Sequence, residues 1–192
     1  MNLGSLFARH ARYRSNHLAV VFGDQRLTWF EFNRSINRLA NAMLILGIRK
    51  GDKVATILPN CLELLETYWA VAKIGAVVVP LSTLLLEKAM QTLLLDSDSV
   101  LLITNSGFVD KINPIRSQLP IAEDRYLLTD ASDIAGYQDY HALKAAAGDE
   151  EPQGITVTDA DPFNIMYSSG TNRVAVFRST CIFPYRKPDC IA

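Results

Sequence analysis

Cysteine is scarce in this chain, with three residues among 192. Cys61, Cys181 and Cys190 are odd in number, and no two of them form a Cys-x-x-Cys pair. This pattern excludes a disulfide framework and a cysteine-based zinc site. It favours a reducing compartment, and we therefore expect a cytoplasmic protein.

A dominant charge of one sign is also missing. Lysine and arginine number 19, and aspartate and glutamate number 20, which gives a formal net charge of −1. Proteins that bind nucleic acid do so through broad basic surfaces, so we expect no such partner. Long apolar runs are absent as well: stretches such as residues 76–79 are far shorter than the ~20 residues that cross a bilayer, so we expect no transmembrane segment.

The N-terminal region has arginine but no acidic residue in its first 23 positions, which weakly resembles a transit peptide. However, Leu3, Phe7 and Ala11 recur at helical spacing. Such a stripe favours a surface helix that packs on the rest of the chain.

The length and the order of apolar segments predict a single α/β domain. Short apolar runs at residues 53–58, 76–79, 100–104 and 126–129 are each followed by a helical pattern. Strands that alternate with helices in this way form right-handed crossovers and a parallel sheet. We therefore expect a mainly parallel sheet flanked by helices, with strands buried on both faces.

Local signals mark where these elements begin and end. Gly23 lies at a hairpin turn, and Thr28 with Glu31 has the spacing of a capping box at the start of a helix that ends near Gly47. A second helix start is predicted at residues 60–63. The acidic segment 149–161 carries proline and glycine and is predicted to be a linker.

A small polar loop follows the strand predicted at residues 163–167. Ser168, Ser169, Gly170 and Thr171 are the kind of residues whose backbone N–H groups and hydroxyls can wrap a phosphate. Most runs of this composition are ordinary turns, and the fingerprints GxxxxGK[ST] and GxGxxG are missing. The residues alone therefore indicate an α/β domain with a candidate phosphate loop.

Residues 161–171 (DPFNIMYSSGT) resemble the entry to the phosphate loop of the adenylate-forming enzymes, the AMP-dependent synthetase and ligase family. That loop has the approximate pattern [YF]-[ST]-S-G-T-T-G-x-P-K-G in acyl-CoA synthetases, luciferases and peptide-synthetase adenylation domains. Upstream segments agree with the family in order and spacing, and the resemblance covers residues 1–171. The matching segments include residues 27–33, 37–40, 46–54, 58–60, 68–70 and 73–81.

The resemblance implies a two-step reaction. In the presence of Mg²⁺, a carboxylic acid reacts with ATP to give an acyl-adenylate and pyrophosphate, and coenzyme A then takes the acyl group as a thioester and releases AMP. The expected substrate is a fatty or other hydrophobic acid. Only Ser168, Ser169, Gly170 and Thr171 are carried over, as part of the ATP phosphate loop; no catalytic residue and no metal ligand is carried over.

The match to the family pattern stops after Thr171. In place of Thr-Gly-x-Pro-Lys-Gly the chain has Asn172, Arg173 and then residues 174–177 (VAVF). We therefore expect residues 1–171 to be an incomplete synthetase domain and residues 172–192 an unrelated tail, frame-shifted or disordered. We also expect the chain to be inactive alone and to self-associate through apolar surface exposed beside the strand at residues 163–167.

Alternatives to this interpretation stay open at this point. The first alternative is a genuinely short paralogue. The others are a non-catalytic remnant or interaction module and a fragment of an amino-acid adenylation domain. His10, His17 and His141 have no partner at catalytic spacing. Asp96 and Asp98 mark a helix end rather than a calcium loop. Cys61, at a helix start, is either a thiol of lowered pKa or an inert small residue.

Overall fold

The computed structural model describes residues 3–130, 133–169 and 174–180. The helices in these ranges are α1 Leu3–Tyr13, α2 Trp29–Ile45, α3 Leu62–Ile74, α4 Glu87–Asp96, α5 Val109–Ile112 and α6 Tyr140–Ala146. The strands are β1 Leu18–Phe22, β2 Gln25–Thr28, β3 Lys53–Ile57, β4 Val77–Pro80, β5 Ser99–Thr104, β6 Tyr126–Leu128, β7 Gln138–Asp139, β8 Pro162–Ser169 and β9 Val174–Thr180. No helix in this part of the chain is long and apolar enough to cross a membrane.

The predicted α/β fold with a mainly parallel sheet is confirmed. Strands β3 to β9 form one sheet in the order β7-β6-β5-β3-β4-β8-β9, and β1 with β2 forms a separate hairpin that turns at Gly23. Every neighbouring pair in the large sheet is parallel except β8 and β9. The first strand of the parallel region, β3, therefore lies in the interior of the sheet, between β4 and β5.

Both faces of the sheet are covered, which explains why its strands are continuous apolar runs in the sequence. Val54 of β3 faces a core that includes Phe7 of α1, Ile36 of α2 and Val71 of α3. Ile57 of the same strand belongs to a second core, on the side of α4 and α5. The two cores are a direct result of the alternation of side chains along a strand.

Helix ends follow the predicted signals. Thr28 Oγ1 accepts a hydrogen bond from the Glu31 N–H at 3.2 Å, and Glu31 Oε2 accepts one from the Thr28 N–H at 2.9 Å, so the capping box is confirmed. Gly47 and Gly75, with φ of 84° and 68°, end α2 and α3 in the left-handed conformation that glycine adopts without strain.

Strand β8 extends further than the sequence predicts. The expected loop began at Ser168, but Ser168 and Ser169 pair with Ala175 and Val174 of β9, and this antiparallel partner keeps the backbone extended through Ser169. Gly170 and Thr171 lie outside the described residues. The assignment of residues 172–192 to an unrelated tail stays a prediction.

Candidate functional site

The carboxyl ends of β3, β4, β5, β6 and β8 lie at one edge of the sheet because these strands are parallel. Open α/β sheets bind their ligands at this edge. Ser168 and Ser169 are the last residues of β8, so the first half of the predicted phosphate loop reaches the edge where a ligand is expected. The second half, Gly170 and Thr171, falls outside the described residues.

The same edge carries exposed apolar side chains. The connection from β4 to α4 contains Leu84 and Leu86, which are 87% and 75% exposed. Because β4 is the neighbour of β8, this connection begins one strand away from Ser169. The serines at the end of β8 and the exposed leucines that follow β4 therefore belong to adjacent strands at the same edge of the sheet.

A strap formed by residues 148–161, the segment between α6 and β8, is bound to α2 and to the connection between α2 and β3. Asn41 Nδ2 donates to the carbonyl oxygen of Gly148 at 2.7 Å, and Arg34 Nε donates to Asp149 Oδ2 at 2.7 Å. At the other end, Lys50 Nζ lies 2.7 Å from Asp161 Oδ2. The predicted linker has no regular secondary structure, as expected, but cations and amides from distant parts of the chain bind its acidic residues, which the sequence did not predict.

The first part of the strap is held by a buried lysine. Lys73 Nζ lies 2.6 Å from Glu151 Oε2 and donates to the side-chain oxygens of Asn33 and Asn37 at 2.8 and 2.7 Å. Burial lowers the pKa of Lys73, and the pairing with Glu151 opposes that effect. Burial also raises the pKa of Glu151, but the hydrogen bonds from Asn33 and Lys73 outweigh it, so the pKa lies below the ordinary value.

A second buried polar cluster joins α2, α3 and α6. Glu66, 1% exposed, accepts hydrogen bonds from Tyr140 at 2.8 Å, from Lys144 at 2.7 Å and from Ser35. Burial, followed by the charge of Glu66, raises the pKa of Tyr140 well above its ordinary range, so the phenol stays a donor. The cluster fixes α6, and with it the start of the strap, against α2 and α3.

An apolar groove of about 480 Å³ lies beside α3 and the beginning of β8. Its lining residues are Phe22, Asn60, Cys61, Leu64, Leu65, Tyr68, Trp69 and Phe163. Met166 of β8 is 46% exposed. Apolar surface is thus present beside β8, as expected; self-association through it stays a prediction.

Cys61 caps α3, a role that the sequence did not assign to it. Its Sγ accepts a hydrogen bond from the Leu64 N–H at 3.4 Å. Burial raises the pKa of Cys61 to about 11; the hydrogen bond from Leu64 opposes this effect, and the charge of Glu63 adds to it. The alternative of a thiol activated by the helix start is therefore wrong, since burial outweighs the helix terminus.

We expect Cys61 to react slowly with iodoacetamide at pH 8. With a pKa of about 11, only ~0.1% of the thiol is ionised at that pH, against roughly a quarter of a free cysteine. The measurement is mass-resolved alkylation in a Cys181→Ser/Cys190→Ser background from pH 7 to 10. The rate should keep rising through pH 10; a plateau near pH 8 would contradict the assignment.

Three of the remaining candidate residues, His10, His141 and Asp96, have structural partners. His10 stacks on Trp29 with ring centroids 4.5 Å apart, and His141 Nε2 lies 2.8 Å from the Thr129 carbonyl oxygen. Asp96 accepts a hydrogen bond from the Tyr167 hydroxyl at 2.7 Å. Among the residues described, no cluster of three or more His, Cys, Asp or Glu side chains has the geometry to hold a metal ion.

Comparison with solved structures gives the class of protein. The anthranilate–CoA ligase AuaEII, in complex with anthranoyl-AMP, superposes with a TM-score of 0.82 at 25% identity, over 91% of this chain and 33% of that one. A fatty acyl CoA synthetase of Mycobacterium tuberculosis superposes with a TM-score of 0.73 at 28% identity, over 92% of this chain and 34% of that one. The described fold is that of the N-terminal part of these CoA ligases.

Residues 7–172 match the family of AMP-binding enzymes, and the chain belongs to that family. Among its relatives, the crotonobetaine/carnitine–CoA ligase of Escherichia coli O127:H6 is 32% identical over 182 residues, which cover 85% of this chain and 34% of that protein. The chain thus spans about a third of the length of the relatives it matches.

Proposed function

We propose that the chain is the N-terminal part of an ATP-dependent acyl-CoA ligase. In this proposal Ser168, Ser169, Gly170 and Thr171 contribute the first part of the cradle for the ATP phosphates. The observation that supports it most is the position of Ser168 and Ser169 at the carboxyl edge of the sheet, at the end of the family match.

The substrate in this proposal is a fatty or other hydrophobic carboxylic acid, with Mg²⁺ and coenzyme A as further participants. The exposed Leu84 and Leu86 support an apolar acyl group, because they follow the strand adjacent to β8. The relatives named above, which act on fatty, aromatic and betaine-type acids according to their names, support the ligase class in general. An amino-acid adenylation domain is the alternative within the same chemistry.

A fusion tests the proposal. Residues 1–171 are joined to the part of the Escherichia coli crotonobetaine/carnitine–CoA ligase that follows the position of Thr171 in the alignment. The acids offered to the fusion are fatty, aromatic and amino acids. We expect the fusion to form a thioester from coenzyme A, ATP and one of these acids. The matched control is the same fusion with Ser169→Ala and Thr171→Ala, which should lower the rate by about tenfold or more, since hydrogen-bond donors to reacting phosphates act mainly in the transition state. A folded fusion without any turnover contradicts the proposal.

One observation favours a non-catalytic module instead. Asn172 and Arg173 stand where the family pattern continues with threonine and glycine, and no lysine follows at the family spacing. If the chain is such a module, the fusion is active because it restores the missing part of the ligase, whereas the natural chain has the same fold but catalyses no reaction.

A further inference from the structure

The strap leads directly into β8, whose side chains Phe163, Ile165 and Tyr167 also pack against the two cores. Within the described part of the chain, the register between β4 and β8 rests on a single pair, Val78 opposite Asn164, whereas β3 pairs with β5 along its full length. At the other end of β8 the Tyr167 hydroxyl reaches Asp96. A strand with so short a parallel ladder needs other contacts to hold its place in the sheet.

Among the ion pairs of the strap in the described part of the chain, the one with the most buried cation joins Lys73 to Glu151. The Lys73 side chain is 3% exposed, and the ammonium group meets three acceptors within 2.8 Å: Glu151, Asn33 and Asn37. The Glu151 side chain is 42% exposed, so only the lysine side of the pair is buried. Removal of Glu151 would still leave a buried ammonium without its counter-charge, which costs more than loss of a pair whose cation is exposed. The pairs of Arg34 with Asp149 and of Lys50 with Asp161 join side chains that are 47% and 42% exposed on the cationic side, and they contribute less.

Glu151 is also anchored independently of the charge. Asn33 and Asn37 both donate to Glu151 Oε1, at 2.8 and 3.2 Å, and Asn37 also donates to the carbonyl oxygen of Asp149 at 2.9 Å. The two asparagines therefore bind Lys73 through their oxygens and the strap through their nitrogens. One lysine, two amides and one carboxylate form a closed network in which each member fixes the others.

We propose that Lys73 and Glu151 are positioning residues that hold the strap on α2 and α3 and thereby set the place of β8 in the sheet. They act on the start of β8 through the strap. The consequence for the phosphate loop rests on the proposed function; the positioning of β8 does not.

Hydrogen–deuterium exchange of the full 192-residue chain, without nucleotide, tests this proposal. Lys73→Met and Glu151→Ala should each raise exchange about tenfold in the strap and in β8, while β5 and β6 change by less than about twofold, because local opening leaves the rest of the fold protected. Glu151→Gln keeps an acceptor for Lys73 and a partner for Asn33, so it should restore at least half of the protection lost in Glu151→Ala.

The matched control is Glu150→Ala, which removes the same charge one residue away, from a side chain that takes no part in the network. It should leave exchange in β8 unchanged. Three results would overturn the proposal: β8 unaffected by either variant, an equal rise throughout the sheet, or the same response to Glu150→Ala as to Glu151→Ala. Because no ligand is used, failure of the acyl-CoA ligase proposal would leave this result unchanged.

Discussion

The 192-residue chain alone should give no ATP–pyrophosphate exchange above a blank without enzyme, whether the acid offered is fatty, aromatic or an amino acid. Nucleotidyl transfer depends on positioned cations and donors around the phosphates, and loss of a single such donor lowers the rate by about 10²–10³. After Thr171 the chain continues with Asn172 and Arg173, without the lysine that the family pattern places in the loop. Groups that act as a unit fail together when some are missing.

The assay needs a positive control and a discriminating observation. The active fusion supplies the first, because it differs from the chain only beyond Thr171. The nucleotide sequence after the Thr171 codon supplies the second: a shifted frame that encodes Thr-Gly-x-Pro-Lys-Gly would support the tail as frame-shifted. Exchange by the unmodified chain would show that the catalytic groups are elsewhere than the family resemblance implies.

The sheet could be predicted from the sequence because its signals are local. Strands buried on both faces are continuous apolar runs, and Gly47 and Gly75 mark helix ends by the conformation they adopt. Thr28 and Glu31 satisfy each other within one turn of chain. Each of these features involves residues within a few positions of one another.

The strap could not be predicted because its partners are distant in sequence. Glu151 binds Asn33 across 118 positions and Lys73 across 78. Proline, glycine and acidic residues in the strap have the composition of a linker, and only the tertiary fold brings Lys73 beneath it. The sequence shows a lysine on a helix and a distant acidic segment, but it does not show that the lysine is buried. An amphipathic pattern predicts lysine on the exposed face, so the contact could not be predicted.

The residues of the candidate site were predicted from a family resemblance, and the structure describes the position of two of the four. Ser168 and Ser169 lie at the expected edge, but the length of β8 depends on pairing with β9, which no local pattern in residues 163–171 reveals. The direction in which the pKa of Cys61 is shifted could not be predicted either, because it also depends on tertiary contacts. A helix start lowers the pKa of a thiol, whereas burial in an apolar groove raises it, and burial is a tertiary property.

Glu66→Ala should destabilise the whole fold strongly. It removes the shared acceptor of Tyr140 and Lys144 and leaves a nearly buried ammonium without its counter-charge. Breaking a buried ionic cluster from one side costs about 3–5 kcal/mol. At roughly 2–4 °C per kcal/mol for a chain of this size, the unfolding midpoint should fall by about 10 °C.

The matched control is Glu63→Ala, one turn earlier on the same helix. The Glu63 carboxylate lies 3.6 Å from His141 in a pair that is partly open to solvent, so its loss should cost less than about 1 kcal/mol. The measurement is thermal and urea unfolding followed by circular dichroism. Equal effects of the two substitutions would mean that the cluster around Glu66 does not hold α6. The strap would then begin from a helix fixed only by apolar packing, and its contacts with Lys73 would carry the whole task of placing β8.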